Sequence, residues 1–178
     1  MAGTIFITGG ARSGKSRFAE ELAQQFGVPL GYLATAQSLD DEMKERVRTH
    51  QGRRDNDWHT IEEPLMLTQS LASNDGLYKC ILVDCITIWL SNLLLQYDDK
   101  QGEGLEELIM EKVRSLTKTL REIKTPVIMV SNEVGLGIVP ENRLARIFRD
   151  IAGRANQLLA AEADEVYVVI SGISLKLK

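Results

Sequence analysis

The sequence holds few of the residues that mark disulfide-rich or metal-clustered proteins. Of its 178 residues only two are cysteines, Cys80 and Cys85, and only two are histidines, His50 and His59. Two cysteines are too few for a disulfide framework, and they lack the companions of a metal-ligand motif. We therefore expect reduced, buried thiols in a cytosolic protein.

A basic excess and a long apolar run are also missing. The net charge of −4 and a pI near 5.3 argue against a dedicated nucleic-acid binder, which would normally be basic. The longest apolar region, ILVDCITIWLSNLLL, contains polar residues and falls short of the roughly 20 apolar residues that span a bilayer. The start, MAGTIFITGG, lacks the pattern of a signal peptide. These features predict a cytoplasmic protein without a membrane span.

Strand-like and helix-like segments alternate along the chain. Apolar, β-branched runs predict buried strands in TIFIT, PLGYLATA, KCILVDC, TPVIMVSN and EVYVVISG, with shorter strands near Trp58–Ile61 and in SLKLK. Amphipathic segments between them predict helices, including LDDEMKERVRTH and a long helix with Pro140 near its first turn. Residues 1–178 are therefore predicted to form one α/β domain, a mostly parallel sheet with crossover helices. Ligands bind such sheets at the carboxyl ends of the strands.

The segment GGARSGKS, Gly9 to Ser16, fits the phosphate-loop pattern G-x-x-x-x-G-K-[ST] without a mismatch. Its glycines let backbone N–H groups surround phosphate oxygens, and Lys15 places a charge at the outer phosphates. Ser16 opens a helix whose positive end faces the anion, and its hydroxyl can reach Mg²⁺. The segment predicts a P-loop nucleotide site for ATP or GTP with Mg²⁺ but does not specify the reaction.

Asp84 ends the predicted strand ILVD. In P-loop proteins a carboxylate at this position commonly contributes to the magnesium shell, directly or through water. The alternative is that Asp84 caps the following helix. Position alone makes Glu62, Glu63 and Glu133 weaker candidates.

The stretch ERVRTHQGRR gathers Arg46, Arg48, Arg53 and Arg54 around His50. Three interpretations stay open from the residues alone. The segment could be a solvated basic helix end. It could be a clamp whose guanidinium groups reach a triphosphate. It could also carry a nucleophile: a neutral imidazole can attack phosphorus and hold a nucleotidyl group, while neighbouring cations disfavour its protonated form.

Several segments together resemble one enzyme family. They are GGARSGKS, YLATA, DDEMKERVRTHQGRR, WHTIEEP, LVDCITIWLSNLL, SNEVGLGIVPENRLARIFRDIAGRANQ and ADEVYVVISG. The chain is similar to the bifunctional adenosylcobinamide kinase / adenosylcobinamide-phosphate guanylyltransferase family of cobalamin biosynthesis. The resemblance implies a RecA-like P-loop fold, a homotrimer and a corrinoid substrate. It also implies two reactions, phosphorylation of adenosylcobinamide with ATP or GTP and transfer of GMP from GTP through a GMP-histidine.

The resemblance assigns the GMP-histidine to His50, and we expect Arg53 and Arg54 to neutralise transition-state charge. Lys15 is the second catalytic candidate, and Ser16 and Asp84 are the metal candidates. The nucleotide contacts that the motif and the resemblance imply are Gly9, Gly10, Ala11, Arg12, Ser13, Gly14, Lys15, Ser16, Ala34, Thr35, Ala36, Gln51, Gly52, Arg53, Arg54, Glu62 and Asp84.

Two rival functions are a simple P-loop small-molecule kinase and a nucleotide-binding switch without a small acceptor. The chain lacks the N-K-x-D motif that reads guanine in switch GTPases, which weakens the second. The loop SNEVGLGIVPENR leaves a predicted strand at the ligand edge. It suits either a substrate loop or a packing or subunit contact. Trp58 and Trp89 are expected in the core or an interface, and His59 in a structural role.

Overall fold

The computed structural model describes residues 3–36, 57–97 and 104–178. Over these ranges the chain forms seven strands and five helices. Their bounds in chain order are β1 Thr4–Gly9, α1 Lys15–Gln24, β2 Leu30–Ala34, β3 Trp58–Glu62, α2 Leu67–Ser73, β4 Cys80–Asp84, α3 Ile86–Gln96, α4 Leu105–Glu122, β5 Val127–Asn132, α5 Arg143–Glu162, β6 Glu165–Ile170 and β7 Ile173–Lys176.

The strands of these ranges form one sheet in the order β3-β2-β4-β5-β1-β6-β7. Every neighbouring pair is parallel except β6 and β7, which are antiparallel. The predicted parallel sheet with crossover helices is therefore confirmed, and so is the short edge strand in SLKLK. The carboxyl ends of β1, β2, β4 and β5 lie along one edge of this sheet.

The two faces of the sheet have separate cores, because side chains alternate along each strand. Ile5 and Ile7 of β1 pack with α1, through Ala19 and Ala23. Phe6 faces the opposite side, where α2, α3, α4 and α5 pack. Since helices cover both faces, the central strands are apolar without interruption, as parallel strands usually are.

Two details of the helices differ from the sequence analysis. The helix α5 begins at Arg143, where the Asn142 side chain caps it by accepting a hydrogen bond of 3.0 Å from the Ala145 N–H. Placing Pro140 near its first turn was therefore wrong, since Pro140 precedes the cap. The short helix α2 was not predicted. The helix expected in LDDEMKERVRTH lies outside the described residues.

No helix in the ranges that the structure covers is both long enough and apolar enough to cross a membrane.

Candidate active site

The phosphate loop connects β1 to α1 at the carboxyl edge of the sheet. Gly14 precedes the helix with a φ of 97°, a left-handed conformation that favours glycine. The side chain of Lys15 folds back over the loop, and its Nζ donates a hydrogen bond of 2.9 Å to the Gly10 carbonyl. The strand, loop and helix that the motif requires are thus all present.

Lys15 is an unusual lysine because it is only 7% exposed. Burial lowers the pKa of Lys15 from its ordinary value, while the nearby Cys85 and Asp84 act in the opposite direction. The phosphate loop and the end of β4 lie at the same, carboxyl edge of the sheet. A buried cation at this position attracts the negative charge of a phosphate more strongly than an exposed one would.

Asp84 ends β4 and is half-buried at the same edge. Its carboxylate accepts a hydrogen bond of 3.1 Å from the Tyr32 hydroxyl. The alternative that Asp84 caps the next helix receives no support. Cys85 occupies the N-cap position of α3, and within the described chain no side-chain hydrogen bond caps that helix.

The residues after β2 hold the end of β4 in place. Thr35 is fully buried, and its hydroxyl both accepts from the Cys85 N–H at 2.9 Å and donates to the Cys85 carbonyl at 2.7 Å. The Thr35 N–H donates to the Asp84 carbonyl at 3.2 Å. Ala34 is in register with Asp84 and Thr35 is hydrogen-bonded to it, but the Thr35 hydroxyl is already used to fix the backbone that carries this carboxylate.

A second polar network lies under β5, and the sequence analysis missed most of it. The buried Ser131 hydroxyl donates to Asn156 Oδ1 at 2.7 Å and lies 3.1 Å from the Thr87 hydroxyl. The Thr87 hydroxyl in turn accepts a hydrogen bond of 2.6 Å from the Asn132 N–H. This network ties α3, β5 and α5 together beneath Asn132. Its only sequence signal is the presence of polar residues inside otherwise apolar segments.

The loop after β5 begins next to the phosphate loop, because the Glu133 N–H donates to the Gly9 carbonyl at 3.0 Å. Its Leu136 and Ile138 side chains are 90% and 96% exposed. Packing of these two side chains against a helix is therefore not observed. A role toward substrate or another subunit stays a prediction.

The remaining candidates are distributed as follows. Glu62 is exposed at the end of β3, in register with Ala34. His59 is exposed on β3, with its ring 5.7 Å from that of Tyr78. Predictions on the following residues fall outside the described part of the chain: Arg46, Arg48, His50, Gln51, Gly52, Arg53 and Arg54.

Both cysteines are free and buried, as expected. Burial raises the pKa of each thiol to about 12. Trp89 is a core residue, 1% exposed, and its indole N–H donates to the Leu65 carbonyl at 2.9 Å. Trp58 is half-buried, with its ring 6.3 Å from that of Tyr32.

Comparison with known proteins decides which P-loop enzyme family is involved. The family model described as cobinamide kinase / cobinamide phosphate guanyltransferase matches residues 5–177. The chain belongs to this family. The rival functions of a simple kinase or a nucleotide switch are therefore not favoured.

Curated relatives agree with this membership. The bifunctional adenosylcobalamin biosynthesis protein CobU of Salmonella typhimurium is 46% identical, and the match covers 98% of this chain and 99% of that protein. CobU of Escherichia coli is 44% identical over 98% of this chain and 99% of that protein. CobP of Pseudomonas aeruginosa is 44% identical over 97% of this chain and 95% of that protein.

Among solved structures, the RadB recombinase shares the fold with a TM-score of 0.52 at 14% sequence identity. The match covers 93% of this chain and 73% of that one. It agrees with the predicted RecA-like P-loop fold and says nothing about substrate.

Proposed function

We propose that this protein phosphorylates the aminopropanol hydroxyl of adenosylcobinamide with ATP or GTP and then transfers GMP from GTP to the new phosphate. The products of the second step are adenosylcobinamide-GDP and pyrophosphate. One observation carries the proposal: the family match extends over residues 5–177 and so includes the phosphate loop, Asp84 and the histidine segment.

In the kinase step, the corrinoid hydroxyl oxygen bonds to the γ-phosphorus and loses its proton to water, and the bond to the bridging oxygen breaks to release the nucleoside diphosphate. Lys15 supports this step because its buried ammonium lies over the loop that would hold the outer phosphates. Such preorganised charge stabilises the transition state most where water is excluded.

The donor set fits a magnesium ion. Mg²⁺ in kinases is usually held by one or two protein oxygens together with substrate phosphates and water. Ser16, in the first turn of α1, and Asp84, at the end of β4, would supply the protein oxygens. When bound, the ion would neutralise charge on the phosphates. The Tyr32 hydroxyl, which donates to Asp84, would keep that carboxylate oriented.

In the guanylyl step, we propose that a neutral ring nitrogen of His50 bonds to the α-phosphorus of GTP while pyrophosphate leaves. The phosphate oxygen of adenosylcobinamide phosphate then attacks the same phosphorus and releases the histidine. Arg53 and Arg54 would neutralise the charge of each transition state. The support is the sequence R-x-x-x-H-x-x-R-R together with the family membership.

The test is intact-mass analysis after incubation with GTP and Mg²⁺. The wild-type protein should gain one GMP, and His50→Ala should gain none. His59→Ala is the matched control, because it removes the only other histidine, and it should be labelled like the wild type. Label from α-labelled GTP should be lost in acid and retained in base. An adduct on His50→Ala would refute the assignment of the nucleophile.

We also propose that the protein is a cytoplasmic homotrimer that binds no nucleic acid and does not span a membrane. What supports an oligomer is the exposed apolar surface of Ile173 and Leu175 on β7 and of Leu177 just after it, all of which are at least 60% exposed. Light scattering after gel filtration tests the trimer. A monomer at micromolar concentration would contradict it.

A further inference from the structure

The turn between β6 and β7 lies directly against the phosphate loop. Since β6 pairs with β1, with Val168 opposite Thr8, its end reaches the point where the loop begins. Ile170 and Ile173 face each other across a two-residue turn. The turn residues Ser171 and Gly172 have φ values of 52° and 82°. Two consecutive positive φ values define the tight hairpin turn that suits twisted strands and favours glycine at its second position.

The contact between turn and loop is made by backbone atoms. The Gly172 N–H donates a hydrogen bond of 2.8 Å to the Ser13 carbonyl. A Cβ on Gly14 would lie 3.3 Å from the Gly172 Cα, and a Cβ on Gly9 would lie 2.4 Å from the Val169 carbonyl oxygen. The end of β6 and its turn thus pack directly against this side of the phosphate loop.

The hydrogen bond fixes the orientation of a peptide group that matters for phosphate binding. In a planar trans peptide, the C=O and the N–H point in opposite directions. Because the Ser13 carbonyl points to the hairpin, the N–H of Gly14 in the same peptide group points away from it. The backbone N–H groups of a phosphate loop are the groups that cradle the phosphates.

We propose that Gly172 is a positioning residue of the nucleotide site, whose N–H holds the Ser13 carbonyl so that the Gly14 N–H faces the bound phosphates. The proposal rests on the nucleotide site of the proposed function and adds to it a residue distant in sequence. Gly172 itself does not touch the nucleotide. Its contribution is the orientation of one donor.

The structure offers a matched pair of substitutions. Gly172 and Gly76 have nearly equal φ values, 82° and 80°, both are exposed, and a Cβ at either would meet nothing within 4 Å. Alanine at either site therefore introduces a similar backbone strain without a clash. Gly76 precedes β4, at the opposite edge of the sheet from the phosphate loop. A loss specific to Gly172→Ala must then arise from its position beside the loop.

The measurement is the Kd for MgGTP by calorimetry, together with the melting temperature without nucleotide and competition by guanosine, which has no phosphates. We expect Gly172→Ala to weaken MgGTP binding about tenfold, because the hydrogen bond from the Gly14 N–H to the charged phosphates is partly lost. Guanosine affinity should stay at the wild-type value. The melting temperatures of the two alanine variants should be lowered equally.

A second variant removes the hydrogen bond without backbone strain. Replacing the Gly172 amide by an ester, through incorporation of glycolic acid during cell-free translation, deletes the N–H donor and adds no side chain. It should weaken MgGTP binding to a similar degree, and it decides the matter if Gly172→Ala does not fold. Wild-type affinity in the ester protein, or an equal loss in Gly76→Ala, would overturn the proposal. Failure of the wild type to bind MgGTP would instead refute the nucleotide site itself.

Discussion

Replacing Thr35 by valine should destabilise the protein measurably while leaving the shape of the buried site nearly unchanged. Threonine and valine have almost the same volume, so no large cavity forms. The hydroxyl, however, makes two hydrogen bonds to the backbone of Cys85, at 2.7 and 2.9 Å, in a fully buried position. The consequence of Thr35→Val is therefore confined to hydrogen bonding.

The magnitude follows from which partners remain satisfied. The Cys85 carbonyl keeps the helical hydrogen bond that it accepts from the Trp89 N–H at 3.1 Å. The Cys85 N–H loses its acceptor. One net hydrogen bond contributes about 1 kcal/mol and a buried, unsatisfied donor costs about 2 kcal/mol, which gives a total loss of about 3 kcal/mol. For a chain of this length, the melting temperature should fall by about 6–12 °C.

Urea denaturation followed by circular dichroism measures the change in unfolding free energy. Thr60→Val, at an exposed position in β3, is the control and should change stability by less than about 0.5 kcal/mol. Thr35→Ser keeps the hydroxyl and loses one methyl group, so it should recover all but about 1 kcal/mol. A Thr35→Val protein as stable as the control would refute the argument that these hydrogen bonds hold the end of β4.

Three further predictions concern other groups. Lys15→Ala should reduce phosphoryl transfer to adenosylcobinamide by about 10²–10³-fold, because it removes a preorganised charge, and a labelled-ATP assay measures this. Cys80 and Cys85, whose pKa values are raised to about 12 by burial, should resist a thiol reagent at pH 8 and both react after unfolding; rapid labelling of the native protein would contradict this. Burial acts to raise the pKa of Asp75. Hydrogen bonds from the backbone and side chain of Thr125 and from the backbone of Lys124 outweigh burial, so the pKa is lowered. The stability it contributes is therefore present above the ordinary aspartate pKa and is lost as the pH falls through the lowered value. Asp75→Asn should therefore flatten the dependence of the unfolding free energy on acid pH, measured by urea denaturation at several pH values.

The sheet could be predicted from the sequence because its central strands carry a strong local signal. Strands β4 and β5 are buried on both faces, so CILV and VIMV are unmixed apolar runs. The helix α2 gives a weak signal, because only Leu67 and Leu71 of its seven residues are buried. The start of α5 was predicted from Pro140, whereas the hydrogen bond from the Ala145 N–H to the Asn142 side chain shows that Asn142 is the cap.

Part of the candidate site could likewise be predicted from the sequence, and part could not. The phosphate loop is contiguous in sequence, so its motif could be recognised directly. The contacts that support it join distant residues: Thr35 binds Cys85, fifty positions later, and Ser13 accepts a hydrogen bond from Gly172. No local pattern encodes such pairs, since they depend on the order of strands in the sheet. That order places β1 between β5 and β6.

This central location of β1 has a consequence for synthesis on the ribosome. The first strand to emerge has no neighbour beside which it can pair, since Thr4 must await Val127 and Ile5 must await Glu165. Its apolar side chains therefore lack their native partners while most of the polypeptide is translated, and they must be covered by chaperones or by transient contacts. The hydrogen bonds that the phosphate loop accepts from Glu133 and Gly172 can form only after those residues have been synthesised.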